Sequence, residues 1–104
     1  MPNPAYQKGV RFEREVVTAF RKIGCQATRS AGSHGVWDVT VHTDCDAVRK
    51  QAYQLLPMKD AKSCYTGHFD WETTWQGDPA KVIYFTVVES PEDSVWLIQC
   101  KVNT

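Results

Sequence analysis

Residues 81–102, KVIYFTVVESPEDSVWLIQCKV, decide the fold class. Two runs rich in β-branched and aromatic residues, 81–89 and 94–102, flank the four-residue segment SPED. Such runs favour β-strands, and a short polar turn between two of them favours an antiparallel hairpin. The sequence therefore predicts a β-hairpin in this region, and the rest of the chain has to supply the elements that cover it.

The segment KGVRFEREVVTAFRKI at residues 8–23 predicts an amphipathic helix. Its apolar residues recur every three or four positions, which places them on one side of a helix. They are Phe12, Val16, Ala19, Phe20 and Ile23. Gly24 suits the end of such a helix. Residues 1–7 contain prolines at positions 2 and 4, and we expect them to form a loose arm.

The middle of the chain predicts two strands and a second helix. The strands are CQATRS at 25–30 and VWDVTVH at 36–42, and the helix is DCDAVRKQAYQLL at 44–56. Residues 58–80 have no clean period and are expected to form a loop with at most a short strand. The order α-β-β-α-loop-β-β indicates a mixed α+β (α/β) class.

Composition sets the general class of protein. The 104 residues suit a single domain, and 42% hydrophobic and 23% charged residues are typical of a globular chain. We find no apolar run near the roughly 20 residues of a membrane-spanning helix, and the first residues do not resemble a signal peptide. We therefore expect a cytoplasmic protein whose four cysteines are reduced thiols.

The charges are balanced overall but unevenly distributed. Twelve basic and twelve acidic residues give a net charge of zero, which argues against a generic nucleic-acid binder. Residues 1–43 carry six Lys or Arg and three acids, a balance of +3. Residues 44–104 carry six basic and nine acidic residues, a balance of −3. The basic half can still face phosphates.

Four polar residues do not fit a simple core. Glu13 falls inside the edge of the apolar stripe of the first helix, where a carboxylate needs a partner. It is either a rim glutamate paired with an arginine or a cation ligand. Asp38 lies in a strand, where Asp is a poor former, and is either a solvent-facing residue of an edge strand or functional. Gln99 and Lys101 share one face of the last strand, which is either a wet face or part of a site.

Together these residues match the needs of phosphodiester hydrolysis. Two carboxylates, on a helix and on a strand, can meet a polar-x-Lys pair at one sheet edge. Oxygen ligands of this kind suit Mg²⁺, which keeps several waters and needs few side chains. A neighbouring lysine can orient the attacking water or neutralise the charge that develops on the phosphate.

The pattern resembles the PD-(D/E)xK nuclease superfamily, and within it the archaeal-type Holliday junction resolvases and their phage-encoded relatives. The resemblance is carried by KGVRFEREVV at 8–17, RSAGSHGVWDV at 29–39 and LIQCKV at 97–102. It implies a restriction-endonuclease-like core, in which helices flank a central mixed sheet. It also implies a Mg²⁺-dependent DNA endonuclease, with Mn²⁺ as an alternative metal, that acts as a homodimer on four-way or other branched DNA in a prokaryotic or phage-infected cell.

The resemblance also implies roles for individual residues. Glu13 and Asp38 match the metal-binding carboxylates, and Lys101 matches the catalytic lysine. Gln99 stands where the family usually has Glu, and its amide oxygen can still bind the metal. The residues that match the DNA-contacting positions are Arg14, Arg29, Ser30 and Ser33.

The chain departs from the family pattern in three ways. Gln99 removes one negative charge from the site. About 50 residues separate Asp38 from the last strand, where the family has a tight hairpin, so residues 44–80 of this nuclease-like domain (residues 1–104) are interpreted as an insertion. The sequence also stops three residues after Lys101.

Alternatives remain open at this point. The chain is either a resolvase, a nicking nuclease without junction preference, or a non-catalytic DNA-binding or interaction protein on a decayed nuclease fold. A zinc site is disfavoured because the His and Cys residues lack short ligand spacings. The aromatic residues of the inserted segment either stack on unpaired bases or pack in a core or interface, and we favour packing. They are Tyr65, Phe69, Trp71 and Trp75.

Overall fold

The computed structural model describes residues 4–29, 37–64 and 68–103. They form two α-helices, six strands and one short 3₁₀ turn. In chain order these are α1 (Pro4–Lys22), β1 (Gln26–Arg29), β2 (Val39–Thr43), α2 (Asp46–Leu55), the 3₁₀ turn Met58–Asp60, β3 (Lys62–Ser63), β4 (Trp71–Trp75), β5 (Asp78–Glu89) and β6 (Ser94–Val102).

The strands form one sheet in the order β1-β2-β6-β5-β4-β3. The hairpin predicted over residues 81–102 is confirmed as β5 and β6, which pair from Lys81–Val102 to Glu89–Ser94. The mixed α+β class is confirmed, and the arrangement is compatible with a restriction-endonuclease-like core. We expected a sheet of mixed strand direction, but the pairings of the described strands are all antiparallel. Short turns join β4 to β5 and β5 to β6, and such turns can link only antiparallel neighbours.

Helix α1 begins earlier than predicted. Residues 4–7 were expected in a loose arm, but the helix already includes them from Pro4. Proline is compatible with the first turn of a helix, because its missing N–H would have no intrahelical partner there. The helix ends at Lys22, one residue before the predicted Ile23, and Gly24 follows with a φ of 97°.

The segment 58–80 was predicted to be a loop with a short strand in it, and it contains more regular structure than that: the 3₁₀ turn, β3, β4 and the first residues of β5. Strand β4 lies within it and pairs with β5. Gln76 and Gly77, with φ angles of 52° and 77°, join the two strands. Two positive φ angles in a two-residue turn are what a type I′ hairpin requires.

Both helices pack on the same face of the sheet and form the core there. Helix α1 buries Phe12, Val16, Val17 and Phe20, and α2 buries Ala52. Five of the described strands contribute buried side chains to the core: Ala27, Val39, Val41, Trp75, Ile83, Phe85, Trp96 and Ile98. Each large apolar side chain so buried contributes about 1.5–3 kcal/mol. Along β6, every second residue therefore lies on the opposite face of the sheet: Val95, Leu97, Gln99 and Lys101.

Trp75 confirms that the aromatic residues of this segment pack in the core. It is 1% exposed, and its ring centroid lies 6.5 Å from that of Phe12 and 6.3 Å from that of Phe20. Phe69 is also buried, whereas Tyr65 lies outside the described residues. In the described part of the chain, neither helix has the length and apolar character that crossing a membrane demands.

Candidate active site

Asp38 is held against the middle of the Gln99–Cys100–Lys101 segment. The ladder between β2 and β6 ends at the pair Val39–Ile98. Just beyond it, the backbone N–H of Asp38 donates to the carbonyl oxygen of Ile98 at 2.8 Å. The backbone N–H of Cys100 donates to the Asp38 Oδ2 at 3.0 Å. These two hydrogen bonds fix both the backbone and the carboxylate of Asp38.

This arrangement excludes the simpler interpretation of Asp38. A solvent-facing aspartate on an edge strand was one alternative from the sequence. Strand β2 instead lies between β1 and β6, and Asp38 is half-buried at its start. An Asp at this point is explained by the Cys100 N–H, which needs an acceptor where the ladder stops.

Glu13 reaches the same region from α1. Its carboxylate Oε1 accepts a hydrogen bond from the Arg29 Nε at 3.1 Å, and the two side chains are 15% and 25% exposed. This is the arginine-paired glutamate that the sequence left open as one alternative. Arg29 ends β1, so the ion pair joins the first helix to the strand next to β2. The charge of Arg29 also acts on Asp38.

The charge of Asp38 acts on the carboxyl group of Glu13. Burial raises the pKa of Glu13, the neighbouring charge of Asp38 raises it further, and Arg29 lowers it. Burial also raises the pKa of Asp38, while the Cys100 N–H and Arg29 lower it. Desolvation and mutual repulsion both disfavour two adjacent carboxylates, and a cation placed between them would relieve both effects.

Cys100 is hydrogen-bonded to Asp38 and is affected by the charges of both carboxyl groups. Burial, then the charges of Asp38 and Glu13, raises the pKa of its thiol well above the usual range. The thiol therefore stays protonated near neutral pH, and neither a thiolate ligand nor a thiolate nucleophile is expected from it. Its backbone, rather than its sulfur, is what serves the site.

Gln99 and Lys101 flank Cys100 on β6. Cys100 packs toward the core, so alternation along the strand directs Gln99 and Lys101 to the opposite face, as the sequence pattern predicted. Gln99 is half-buried and Lys101 is exposed. Lys101 forms no ion pair with another residue in the described ranges. The structure thus brings Glu13 and Asp38 together beside the Cys100 backbone, whereas the side chains of Gln99 and Lys101 lie on the face of β6 away from helix α1.

The other predicted site residues fall in two groups. Arg14 is exposed on α1, one residue after Glu13. Ser30 and Ser33 lie outside the described residues. The pairing of Arg29 with Glu13 was not assigned from the sequence, which gave Arg29 a DNA-contacting role. The signal for it was the position of Glu13 at the edge of the apolar stripe, because a half-buried carboxylate requires a cationic partner.

The donor set is suited to a hard divalent cation. Within residues 4–29, 37–64 and 68–103, no three His, Cys, Asp or Glu side chains are arranged to hold a metal ion. A metal here would therefore depend on two carboxylates together with neutral oxygens. The Gln99 amide and the Cys100 carbonyl are such oxygens, and Mg²⁺ accepts few protein ligands because it keeps several waters. The chemistry of these donors fits Mg²⁺ or Mn²⁺.

A family model for archaeal Holliday junction resolvases matches residues 4–66. The chain belongs to this family. Its members are nucleases that act on DNA junctions, and the match spans α1, β1, β2 and α2 of this resolvase-family chain. Glu13, Arg14, Arg29 and Asp38 lie within the matched range, whereas Gln99 and Lys101 lie beyond it. No curated protein and no solved structure is significantly similar to the chain.

Proposed function

We propose that this chain is a metal-dependent endonuclease that resolves Holliday junctions by phosphodiester hydrolysis. Its family membership supports the junction as substrate. The observation that carries the catalytic part is the hydrogen bond from the Cys100 N–H to Asp38, which fixes a carboxylate beside the Gln99–Cys100–Lys101 segment. Glu13 adds a second carboxyl group whose pKa responds to Asp38.

The residues divide the chemistry among them. Glu13, Asp38 and the Cys100 carbonyl would hold Mg²⁺ or Mn²⁺, and the Gln99 amide oxygen would join them from the opposite face of β6. When bound, such an ion supplies Lewis-acid stabilisation of the phosphate and lowers the pKa of water. The Cys100 N–H keeps the Asp38 carboxylate in one orientation. The Lys101 ammonium orients the attacking water and neutralises the charge that develops on the phosphate oxygens as one P–O bond forms and the opposite one breaks.

In the proposal the DNA backbone is held by the four residues that the sequence assigned to it. Arg14, Arg29, Ser30 and Ser33 contact phosphates in the proposal and set the register of the scissile bond. Resolution of a four-way junction needs two cuts related by symmetry, so we propose that the chain acts as a homodimer.

A second candidate is a DNA-binding protein that has lost catalysis. Two observations favour it: Gln99 replaces a carboxylate, and Arg29 already neutralises Glu13. Both candidates predict junction binding, and they differ only in cleavage.

A synthetic four-way junction with labelled strands separates the two. In Mg²⁺ the wild-type chain should introduce paired nicks at symmetric positions and leave the matched linear duplex uncut. D38N should bind the junction as well as wild type but not cut it, because it loses a ligand charge and keeps an acceptor for the Cys100 N–H. K101A should slow cutting by on the order of 10²-fold. Cutting by D38N at the wild-type rate would show that the metal site is wrong.

Gln99 variants identify the candidate directly. If the amide oxygen binds the metal, Q99E should cut with a lower Mg²⁺ requirement and Q99A should cut much more slowly than wild type. If the wild-type chain is inactive and Q99E is active, the decayed-nuclease proposal is correct. Indistinguishable metal titrations for the three proteins would place residue 99 outside the site.

A further inference from the structure

A basic stripe runs along the outer side of helix α1. We define it as Arg11, Arg14 and Lys22, with Thr18 between them. Spacings of three and four residues place these side chains on one side of the helix, and all four are exposed. Within the described residues, none of the three cations forms an ion pair. The stripe is therefore a row of uncompensated positive charge.

The stripe forms one wall of a shallow groove of about 540 Å³. The opposite wall includes Trp75 and Gln76, at the turn between β4 and β5. Gln76 is exposed at the tip of this turn, with a φ of 52°. A side chain at positive φ is strained relative to glycine, which is the usual residue of such turns. A glutamine in this place costs stability and presents an amide to the groove.

The turn is firmly attached to α1. The Trp75 indole N–H donates to Glu15 Oε1 at 3.3 Å, and the ring packs between Phe12 and Phe20. Lys81 Nζ donates to Glu15 Oε2 at 2.8 Å. The one acidic side chain lining the groove is thus already paired with a cation, so the groove keeps the positive charge of the basic stripe.

The dimensions of the basic stripe match a nucleic-acid backbone. Eleven residues separate Arg11 from Lys22, which at 1.5 Å per residue is about 16 Å. Duplex DNA carries one charge per roughly 1.7 Å of axis, so this length spans about five base pairs. Because the whole chain has zero net charge, DNA binding has to come from a local concentration of cations such as this one.

We propose that this groove binds the phosphate backbone of a duplex arm of the junction, with Gln76 in contact with the DNA. The proposal rests on the proposed function for its DNA partner. It goes beyond that function in assigning a DNA-binding role to the β4–β5 turn, which lies outside the family-matched residues 4–66.

The first test measures how junction binding depends on salt, without divalent metal so that no cutting occurs. R11Q/K22Q removes two cations of the basic stripe and leaves Arg14, which lies nearest to the catalytic site. The matched control K50Q/K62Q removes two exposed lysines of α2 and β3. The slope of log Kd against log salt should fall by about 1.8 in R11Q/K22Q, at about 0.9 per phosphate contact. It should stay at the wild-type value in the control.

Equal slopes for R11Q/K22Q and wild type, or equal losses in both double variants, would overturn the proposal. Circular dichroism and thermal melting confirm that each variant is folded. Cleavage is scored separately in Mg²⁺. If the wild-type chain cuts the junction but the salt slope of binding is the same with and without the basic stripe, only this inference is wrong. If the salt slope depends on the basic stripe but the chain does not cut, only the proposed catalysis is wrong.

The second test uses Q76G, which relieves the positive-φ strain and removes the amide. A purely structural turn should tolerate or prefer glycine, so the Tm should be equal to or above that of wild type. Junction affinity should nevertheless fall severalfold. An unchanged affinity in Q76G would overturn the role of the turn in DNA binding.

Discussion

Asp38 is a residue that serves the proposed metal site and lowers the stability of the folded chain. Its folded-state pKa is raised, chiefly by burial, so the folded chain holds its proton to a higher pH than the unfolded chain does. The free energy of unfolding must therefore fall as pH rises from about 4, the ordinary aspartate value, through the raised pKa. Ionised Asp38 also disfavours ionisation of Glu13, which adds to the same trend.

D38N removes this titration and keeps an oxygen that can accept from the Cys100 N–H. We expect D38N to be more stable than wild type near pH 7 in the absence of divalent metal, with the difference shrinking as pH falls through the carboxyl range. Urea unfolding at several pH values checks this. A stability difference that does not change with pH, or that grows in acid, would contradict it. Added Mg²⁺ should stabilise wild type and leave D38N unchanged.

At the scale of elements, strand β4 shows where hydrophobic periodicity does not predict secondary structure. The helix α1 and the hairpin β5–β6 follow strong periods, so their existence was predictable, although α1 starts at Pro4 rather than near Lys8. The position of β4 was not predicted, because two threonines and a glutamate interrupt its apolar residues. The alternation of Trp71, Thr73 and Trp75 was the available signal, together with the Gln-Gly turn after it.

In the candidate active site, too, local motifs could be predicted from the sequence and long-range contacts could not. The carboxylates and their neighbourhood were predictable because they lie in matched motifs, but the Arg29–Glu13 pair and the hydrogen bond from Cys100 depend on how β1, β2 and β6 come together. Such contacts join residues that are 16 and 62 positions apart, and no local pattern encodes them.

The prediction at the scale of elements concerns the stability that Trp75 gives to β4. W75A should lower the free energy of unfolding by about 3–5 kcal/mol, since it empties a fully buried site between two phenylalanines of α1. W71A, at a half-buried position of the same strand, should cost clearly less. Urea denaturation of both proteins provides the comparison.

Because β4 carries the buried Trp75, deletion of residues 58–78 should give a poorly folded product. A stable deletion variant would mean that β4 is dispensable.

At the scale of the whole molecule, charge is separated along the chain and across the fold. The turn at the Ser94 end of β6 gathers Asp44, Glu92 and Asp93 around one cavity, whereas Asp38 lies beside the other end of the strand. DNA should therefore approach from the side of α1, with the acidic turn directed away from it. Within this acidic end, His42 Nε2 and Asp93 Oδ2 lie within hydrogen-bonding distance, at 3.2 Å.

The proposed homodimer makes a prediction at the same scale. In a dimer of one wild-type and one D38N subunit, one intact site remains, so a four-way junction should receive a single nick and should not be resolved. Differently tagged subunits, co-expressed and purified by both tags, provide the mixed dimer, and two wild-type subunits treated in the same way are the control. Paired cuts by the mixed dimer would mean that each subunit acts twice or that dimers are not required.

The outermost strands of the sheet bear on how the protein behaves when many copies are crowded together. β1 has four residues and β3 has two, with Lys62 in the latter, so each strand offers only a brief run of backbone to a foreign strand. Long, flat, uncharged edge strands can pair with strands of other molecules and start aggregation, whereas short edge strands that carry charge resist it. Copies that gather at high local density on branched DNA should therefore remain separate in solution, even with Val88 exposed near the end of β5.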